Sequence, residues 1–232
     1  MSEELSFTDL DEFGLTPLLN PPTTESVLNL VDRFVSSYSD WKKSKSLPED
    51  ELFVYYNTVA NEPWYIRSSV HNDEEYPFAW FKKALLNDHF GNMVNYYDIV
   101  QSFELAKKHG DWNGYTLKYL LPSPFANRDL ATWLFTTESA TEDEFTVVAV
   151  PADIPLPENS TRAVYSFFHR VTKDADGRVT WILGTTSDMK GNLPRWIQSM
   201  SIPGILVNDL SSFLDWIADN YGADDNSTTE LS

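Results

Sequence analysis

The sequence predicts an α+β fold, in which a meander of about eight antiparallel strands carries helices at both ends and after its second strand. Residues 163–172 and 178–187 are rich in β-branched and aromatic side chains and flank Asp176-Gly177, a strong short-range hairpin signal. After Pro194, an amphipathic segment with an apolar stripe too wide for a surface helix continues to about Tyr221. The final hairpin therefore leads directly into a C-terminal helix that covers something large and apolar.

The elements before this hairpin follow from local patterns. Thr24 is the candidate cap of a first helix that runs to about residue 43, because apolar residues recur at helical spacing as far as Trp41. Residues 52–59 and 64–71 predict a hairpin, and Pro77 begins a short pair of helices that ends near residue 94. Further strands are predicted at 96–107, 112–121, 130–138 and 145–150, with Gly, Asp or Asn at the reversals.

Pro203 and Gly204 lie in the middle of the apolar stripe of the C-terminal helix. Proline removes a backbone hydrogen bond and glycine loosens the turn, so we expect a kink or joint there. A core helix that tolerates a kink is the alternative interpretation.

Composition indicates one domain at residues 23–221, an acidic flexible arm at 1–22 and a disordered acidic tail at 222–232. The formal net charge of −18 argues against a nucleic-acid partner and against a standing attraction to anionic membranes. The chain has no cysteine, no apolar run that could span a bilayer and no leader pattern at Met1. We therefore expect a cytoplasmic protein.

Motifs for catalysis, metals and cofactors are not found in the sequence. The four histidines are scattered, without a second ligand at metal-binding spacing. We therefore predict no catalytic residue, no metal and no cofactor.

Several motifs occur in the order that START lipid-transfer domains show in their second half. They are PSPFANRDL at 122–130, VVAVPADIPLP at 147–157, TRAVYSFF at 161–168 and GRVTWILGTTSDMKGNLPRW at 177–196. The chain resembles this family from about residue 52 to 217, and it looks most like the START-like fungal domains of unassigned role. The resemblance implies a helix-grip fold, in which a curved antiparallel sheet wraps around the C-terminal helix and leaves an apolar cavity between them.

The resemblance also suggests the residues of a ligand site. The family often has a carboxylate facing the cavity at the position of Asp98, although the basic residue that several members set against it is replaced here by Leu134. Arg128 could bind a lipid headgroup through its planar fork, or it could tie the start of a strand to its surroundings. The candidate ligand-binding residues are Asp98, Tyr115, Trp181, Leu183, Met200, Val207 and Leu210.

The resemblance implies a carrier or sensor of a single hydrophobic molecule, such as a sterol, ceramide or phospholipid. We expect such a protein to make transient contact with membranes. Pro203-Gly204 would be its gate. Two other classes stay open: an enzyme of the same superfamily, cyclase- or hydrolase-like, acting on a small apolar substrate, and a ligand-free protein-interaction module.

Residues 3–12 resemble the acidic motif by which several lipid-transfer proteins dock on a receptor of the endoplasmic reticulum. The matching positions are Phe7, Asp9 and Glu12, while Leu10 departs from the small residue preferred there. A solvated acidic tail is the alternative.

Overall fold

A computed structural model describes residues 13–47 and 51–226 of the chain. Its α-helices are α1 (Thr24–Ser37), α2 (Phe78–Phe81), α3 (His89–Tyr96) and α4 (Arg195–Asn226). Its strands are β1 (Lys42–Leu47), β2 (Leu52–Val59), β3 (Glu62–Asn72), β4 (Val100–His109), β5 (Trp112–Tyr119), β6 (Arg128–Glu138), β7 (Glu144–Pro151), β8 (Thr161–Arg162), β9 (Val164–Lys173) and β10 (Arg178–Asp188). A 3-10 helix (Tyr38–Asp40) follows α1, and a π-helix (Lys82–Asn87) lies between α2 and α3.

The strands form one curved, unclosed sheet in the order β1-β2-β3-β10-β9-β7-β6-β5-β4, with β8 paired to β6. All neighbours along this path are antiparallel. The final hairpin, β9–β10, turns at Gly177 with a φ of 75° and lies at the centre of the sheet. The predicted α+β helix-grip fold is confirmed, with ten strands in the described residues instead of about eight.

The first helix is shorter than predicted. Its cap is Thr23, whose side-chain oxygen accepts from the Ser26 amide at 3.2 Å, and α1 ends at Ser37. The chain then forms β1, in which every residue is exposed. This strand gains mainly backbone hydrogen bonds to β2 and has no apolar face, so no hydrophobic pattern marked it in the sequence.

The central strands of the sheet are buried on both faces, whereas the edge strands β1 and β4 are exposed. Adjacent residues such as Trp181 and Ile182 belong to different hydrophobic clusters, because successive side chains of a strand point to opposite sides. One cluster contains α1, and the other contains the apolar residues of α2, α3 and the C-terminal half of α4. The face of the sheet that α4 covers also borders the cavity described below.

Part of the segment expected to be a free arm packs on the α1 face. Phe13 is fully buried and contacts the rings of Phe34, Trp64 and Phe168. The Trp133 indole N–H donates to the Leu18 carbonyl at 3.0 Å. The candidate docking motif at Phe7, Asp9 and Glu12 lies outside the described residues.

α4 is continuous through Pro203, so the expected joint does not interrupt the helix. No helix in the described ranges is long and apolar enough to span a bilayer.

Candidate ligand cavity

A cavity of about 380 Å³ lies between the sheet and the first half of α4. The strands β3, β9 and β10 form one wall, and alternate residues of β10 reach the cavity as the period of a strand requires. The residues that these strands contribute are Arg67, Tyr165, Phe167, His169, Trp181, Leu183, Thr185 and Ser187.

The opposite wall is formed mainly by α4. Its lining residues are Ile197, Gln198, Ser201, Ile202, Ile205, Leu206 and Asp209. The buried Gln198 holds the loop after β10 against the helix: it accepts from the Met189 amide at 2.8 Å and donates to the Leu193 carbonyl at 2.9 Å. Both Met189 and Leu193 also line the cavity, so this amide keeps one side of it in place.

The cavity reaches the surface beside α4. Pro122, Ser201 and Ile205 line it and are also exposed, which places the mouth between the β5–β6 connection and the helix. Two large apolar side chains of the same part of α4 are exposed as well, Trp196 at 65% and Met200 at 75%. We call Trp196, Met200 and Ile205 the mouth patch.

One part of the mostly apolar wall is charged. The Arg67 side chain on β3 is fully buried, and its guanidinium carbon lies 3.9 Å from the centroid of the Trp181 ring. Its Nη1 donates to the Leu206 carbonyl at 3.2 Å, whereas Nε and Nη2 have no hydrogen-bond partner among the described residues. Burial lowers the pKa of Arg67 to about 10, so the side chain remains a cation at neutral pH.

The carboxylate that acts on the Arg67 charge is Asp209 of α4. Burial raises the pKa of Asp209 to about 7, against the lowering influence of the Arg67 charge and of the Tyr97 hydroxyl. Arg67 and Asp209 form no direct ion pair in the described structure. The raised pKa favours the neutral form of Asp209, so its carboxyl compensates the Arg67 charge only partly.

Two buried histidines complete the polar part of the wall. Trp181 donates its indole N–H to His169 Nδ1 at 3.0 Å, which leaves the proton of a neutral His169 on Nε2. His89 stacks on Phe167, with ring centroids 5.2 Å apart. Burial lowers the pKa of His89 to about 4 and that of His169 well below its ordinary value, so both rings are neutral at physiological pH.

Only some of the ligand-binding residues predicted from the sequence lie on the cavity wall. Trp181 and Leu183 lie on the cavity wall. Tyr115 instead packs edge-on against Phe90, with ring centroids 5.0 Å apart, and Leu210 is buried in the close-packed cluster with Phe213. Val207, Tyr115 and Leu210 are not among the residues that line the cavity.

Two other predicted ligand-binding residues, Asp98 and Met200, lie outside the cavity. Asp98 is exposed in the turn before β4, since α3 extends to Tyr96 and the strand begins only at Val100. The carboxylate on the cavity wall is instead Asp209. Met200 lies on the outer side of α4, in the mouth patch.

Arg67, His89, His169 and Asp209 line the cavity, and the sequence did not single them out as candidate ligand-binding residues. A signal existed for Arg67, because this basic residue directly follows the apolar run Trp64–Ile66 in the same predicted strand, and β3 is buried from Trp64 to Ser69. In Arg128, by contrast, every guanidinium nitrogen donates to a main-chain carbonyl. Nε donates to the Met189 carbonyl at 2.5 Å, Nη1 to the Ala126 carbonyl and Nη2 to the Lys190 carbonyl at 3.2 Å. Its observed contacts tie β6 to the loop after β10.

The fold and its cavity define the class as a START-like helix-grip domain. Human StAR-related lipid transfer protein 5 superposes with a TM-score of 0.70 at 12% identity, covering 85% of this chain and 95% of that one. Human STARD10 gives 0.65 at 12%, covering 88% and 85%, and a START-related lipid transfer protein from Xanthomonas axonopodis gives 0.59 at 16%, covering 76% and 98%. The predicted resemblance is confirmed at the level of fold.

Within that class, residues 64–217 match the family model described as "Protein of unknown function (DUF3074)". The chain belongs to this family. No curated protein matches it.

Proposed function

We propose that this protein binds one lipid molecule in the cavity between the sheet and α4 and carries it between membranes. The observation that supports this most directly is the cavity itself, about 380 Å³ with a predominantly apolar wall and a mouth at the surface. Each methylene removed from a bilayer into water costs about 0.8 kcal/mol, so a carrier has to replace those contacts with apolar side chains. The solved neighbours named as lipid transfer proteins share this fold, which supports the same use of it here.

Lipid occupancy provides the direct test. The full chain, purified without detergent, is analysed by native mass spectrometry, and its bound molecules are extracted and identified. We expect one lipid per chain, from a narrow set of classes. A protein that stays empty after incubation with mixed-lipid vesicles would contradict the proposal and favour the protein-interaction module, whereas chemical conversion of an added lipid would favour the enzyme.

We further propose that the mouth patch meets the bilayer during loading and release. Charge near the patch is already neutralised: Arg195 pairs with Glu62 at 2.5 Å, and Lys190 pairs with Asp188 at 2.9 Å. An uncharged apolar patch favours insertion into neutral membranes over electrostatic attraction to anionic ones. Pro203 and Gly204 lie beside the lining residues Ile202 and Ile205, which keeps them as candidate hinge residues for opening.

Replacing Trp196 and Met200 together with serine should slow lipid transfer between phosphatidylcholine vesicles by more than tenfold. Burying a large apolar side chain contributes about 1.5–3 kcal/mol, and a tenfold rate change needs only about 1.4 kcal/mol. Bound lipid per chain should stay unchanged, because neither residue lines the cavity. Transfer is measured with a fluorescent lipid moving from quenched donor vesicles.

The matched control replaces Phe103 and Leu105 with serine. These residues are also exposed, at 37% and 46%, but lie on the edge strand β4 away from the cavity lining. Transfer by this variant should equal that of the wild type. Equal slowing in both variants would show that general surface hydrophobicity, and not the mouth patch, governs membrane contact.

A further inference from the structure

Among the residues that the structure describes, Arg67 is the one fully buried charged side chain on the cavity wall with hydrogen-bond donors that lack a partner. Its Nη1 is bonded to the Leu206 carbonyl and one face of its guanidinium lies on Trp181. These two contacts hold the group in a single orientation. The unpaired donors, Nε and Nη2, lie on the same edge of the planar group.

That free edge has the geometry of an anion site. Two parallel N–H donors on one edge of a guanidinium match the two oxygens of a carboxylate or phosphate. A buried charged donor without a partner destabilises the folded protein, so proteins rarely leave two such donors on one group. At Arg128 the corresponding Nε and Nη2 both bond to carbonyls, which shows how this chain fills such an edge when the role is structural.

The charges that face Arg67 leave room for an anion. The carboxylate on α4 is Asp209, which makes no direct ion pair with Arg67, and burial raises its pKa to about 7, which favours its neutral form. Burial and nearby charge keep the tyrosines from the α3 side, Tyr96 and Tyr97, neutral by raising the pKa of each. The three buried histidines in this region, His71 on β3 itself, His169 on β9 and His89 on α3, are neutral because burial lowers their pKa values.

We infer that the free edge of Arg67 binds the acidic head group of the carried lipid, a carboxylate or a phosphate, while the acyl chain fills the apolar part of the cavity. This inference rests on the proposed function and names the ligand class for that site. The apolar residues around Arg67 that would take the chain are Leu183, Phe167, Ile202 and Leu206. A neutral lipid would leave the two donors of Arg67 unpaired or solvated.

The test uses ligands that share one acyl chain and differ only at the head. Oleate and oleyl phosphate carry the acid, while oleyl alcohol and methyl oleate do not. Affinities for the delipidated full chain are measured at pH 7 by displacement of a fluorescent fatty alcohol. We expect both acids to bind at least tenfold more tightly than both neutral ligands, the change expected for about 1.4 kcal/mol from charge-assisted bonds.

The Arg67→Met variant should abolish this preference by lowering the affinity for both acids at least tenfold. Methionine keeps apolar contact with Trp181 and removes the unpaired donors, so the variant should fold. Arg67→Lys keeps the charge but loses the two-donor edge, and its preference for acids should be intermediate. If neither variant folds, the ratio of the wild-type affinities for acidic and neutral ligands still tests whether the cavity prefers an acidic head group.

Three results would overturn the inference. Equal affinity for acidic and neutral ligands in the wild type would remove the head-group role while leaving lipid binding intact. An unchanged preference in Arg67→Met would place the anion site elsewhere. Displacement of the probe by inorganic phosphate alone would show a site for a free anion instead of a lipid head. No binding of any of the four lipids would contradict the proposed function itself.

Discussion

Leu183→Trp is expected to reduce lipid occupancy by at least tenfold while the protein remains folded. Leu183 lies on the cavity wall, directly opposite Arg67 on β3 and His169 on β9 in the sheet register. The larger indole enters open space and takes the room of about two methylenes of the ligand, which corresponds to about 1.6 kcal/mol of lost transfer free energy. That loss is slightly more than a tenfold change in affinity. Occupancy is measured by native mass spectrometry after incubation with vesicles.

The matched variant is Leu210→Trp, at a position that the sequence suggested as cavity lining. Leu210 is 5% exposed and packs in the cluster with Phe81 and Phe213, so a larger side chain has no free space there. Overpacking of this kind costs about 1–3 kcal/mol of unfolding free energy. Chemical unfolding of both variants separates the two cases. A larger loss of stability in Leu183→Trp than in Leu210→Trp would show that the cavity is filled by protein in solution.

The second expected result is a steep loss of stability in acid. His71, His89 and His169 are held neutral by burial, with pKa values lowered from 6.5 to about 4 for the first two and well below 6.5 for the third. A group with a lowered folded pKa contributes stability that is complete above its unfolded pKa of 6.5 and is lost as the pH falls towards the folded value. Stability should therefore decline between pH 6.5 and 4.

One group acts in the opposite direction. The folded pKa of Asp209 is raised to about 7 from an ordinary value of 3.8, so its contribution is present at low pH and is lost as the pH rises through 7. Three histidines outweigh this single carboxyl between pH 6.5 and 4. The net expectation is a stability maximum close to neutral pH.

His89→Phe tests whether the buried histidines cause the loss of stability in acid. The variant removes one titrating group that is fully buried, and it should flatten the acid decline by up to about 3 kcal/mol between pH 6.5 and 4, since each pKa unit corresponds to about 1.36 kcal/mol. Urea unfolding at a series of pH values provides the measurement. His109→Phe, at an exposed position on β4, serves as the control and should leave the slope as it is in the wild type. Identical slopes in His89→Phe and wild type would mean that His89 is solvated in the native state.

Much of the fold was predictable because its signals are local. The residues 163–172 and 178–187 alternate around Asp176-Gly177, and this short-range chemistry predicted β9 and β10 to within one residue at each end. The same alternation placed Trp181 and Leu183 on a common face. On α4, however, apolar residues cover both the cavity side and the mouth, so the stripe could not distinguish Leu210 in the core from Met200 at the surface.

The sequence by itself determined the order of the helices and of every strand except β1 and β8, the long C-terminal helix and the motifs that resemble START domains. Only the tertiary structure decided which polar groups meet. Sheet pairing sets Arg67 of β3 against Leu183 of β10, 116 positions later, and helix docking places Asp209 near the same cation. Pairing across such distances depends on register and packing between segments, which no local pattern encodes, and for this reason the charged part of the cavity emerged only once the chain was folded.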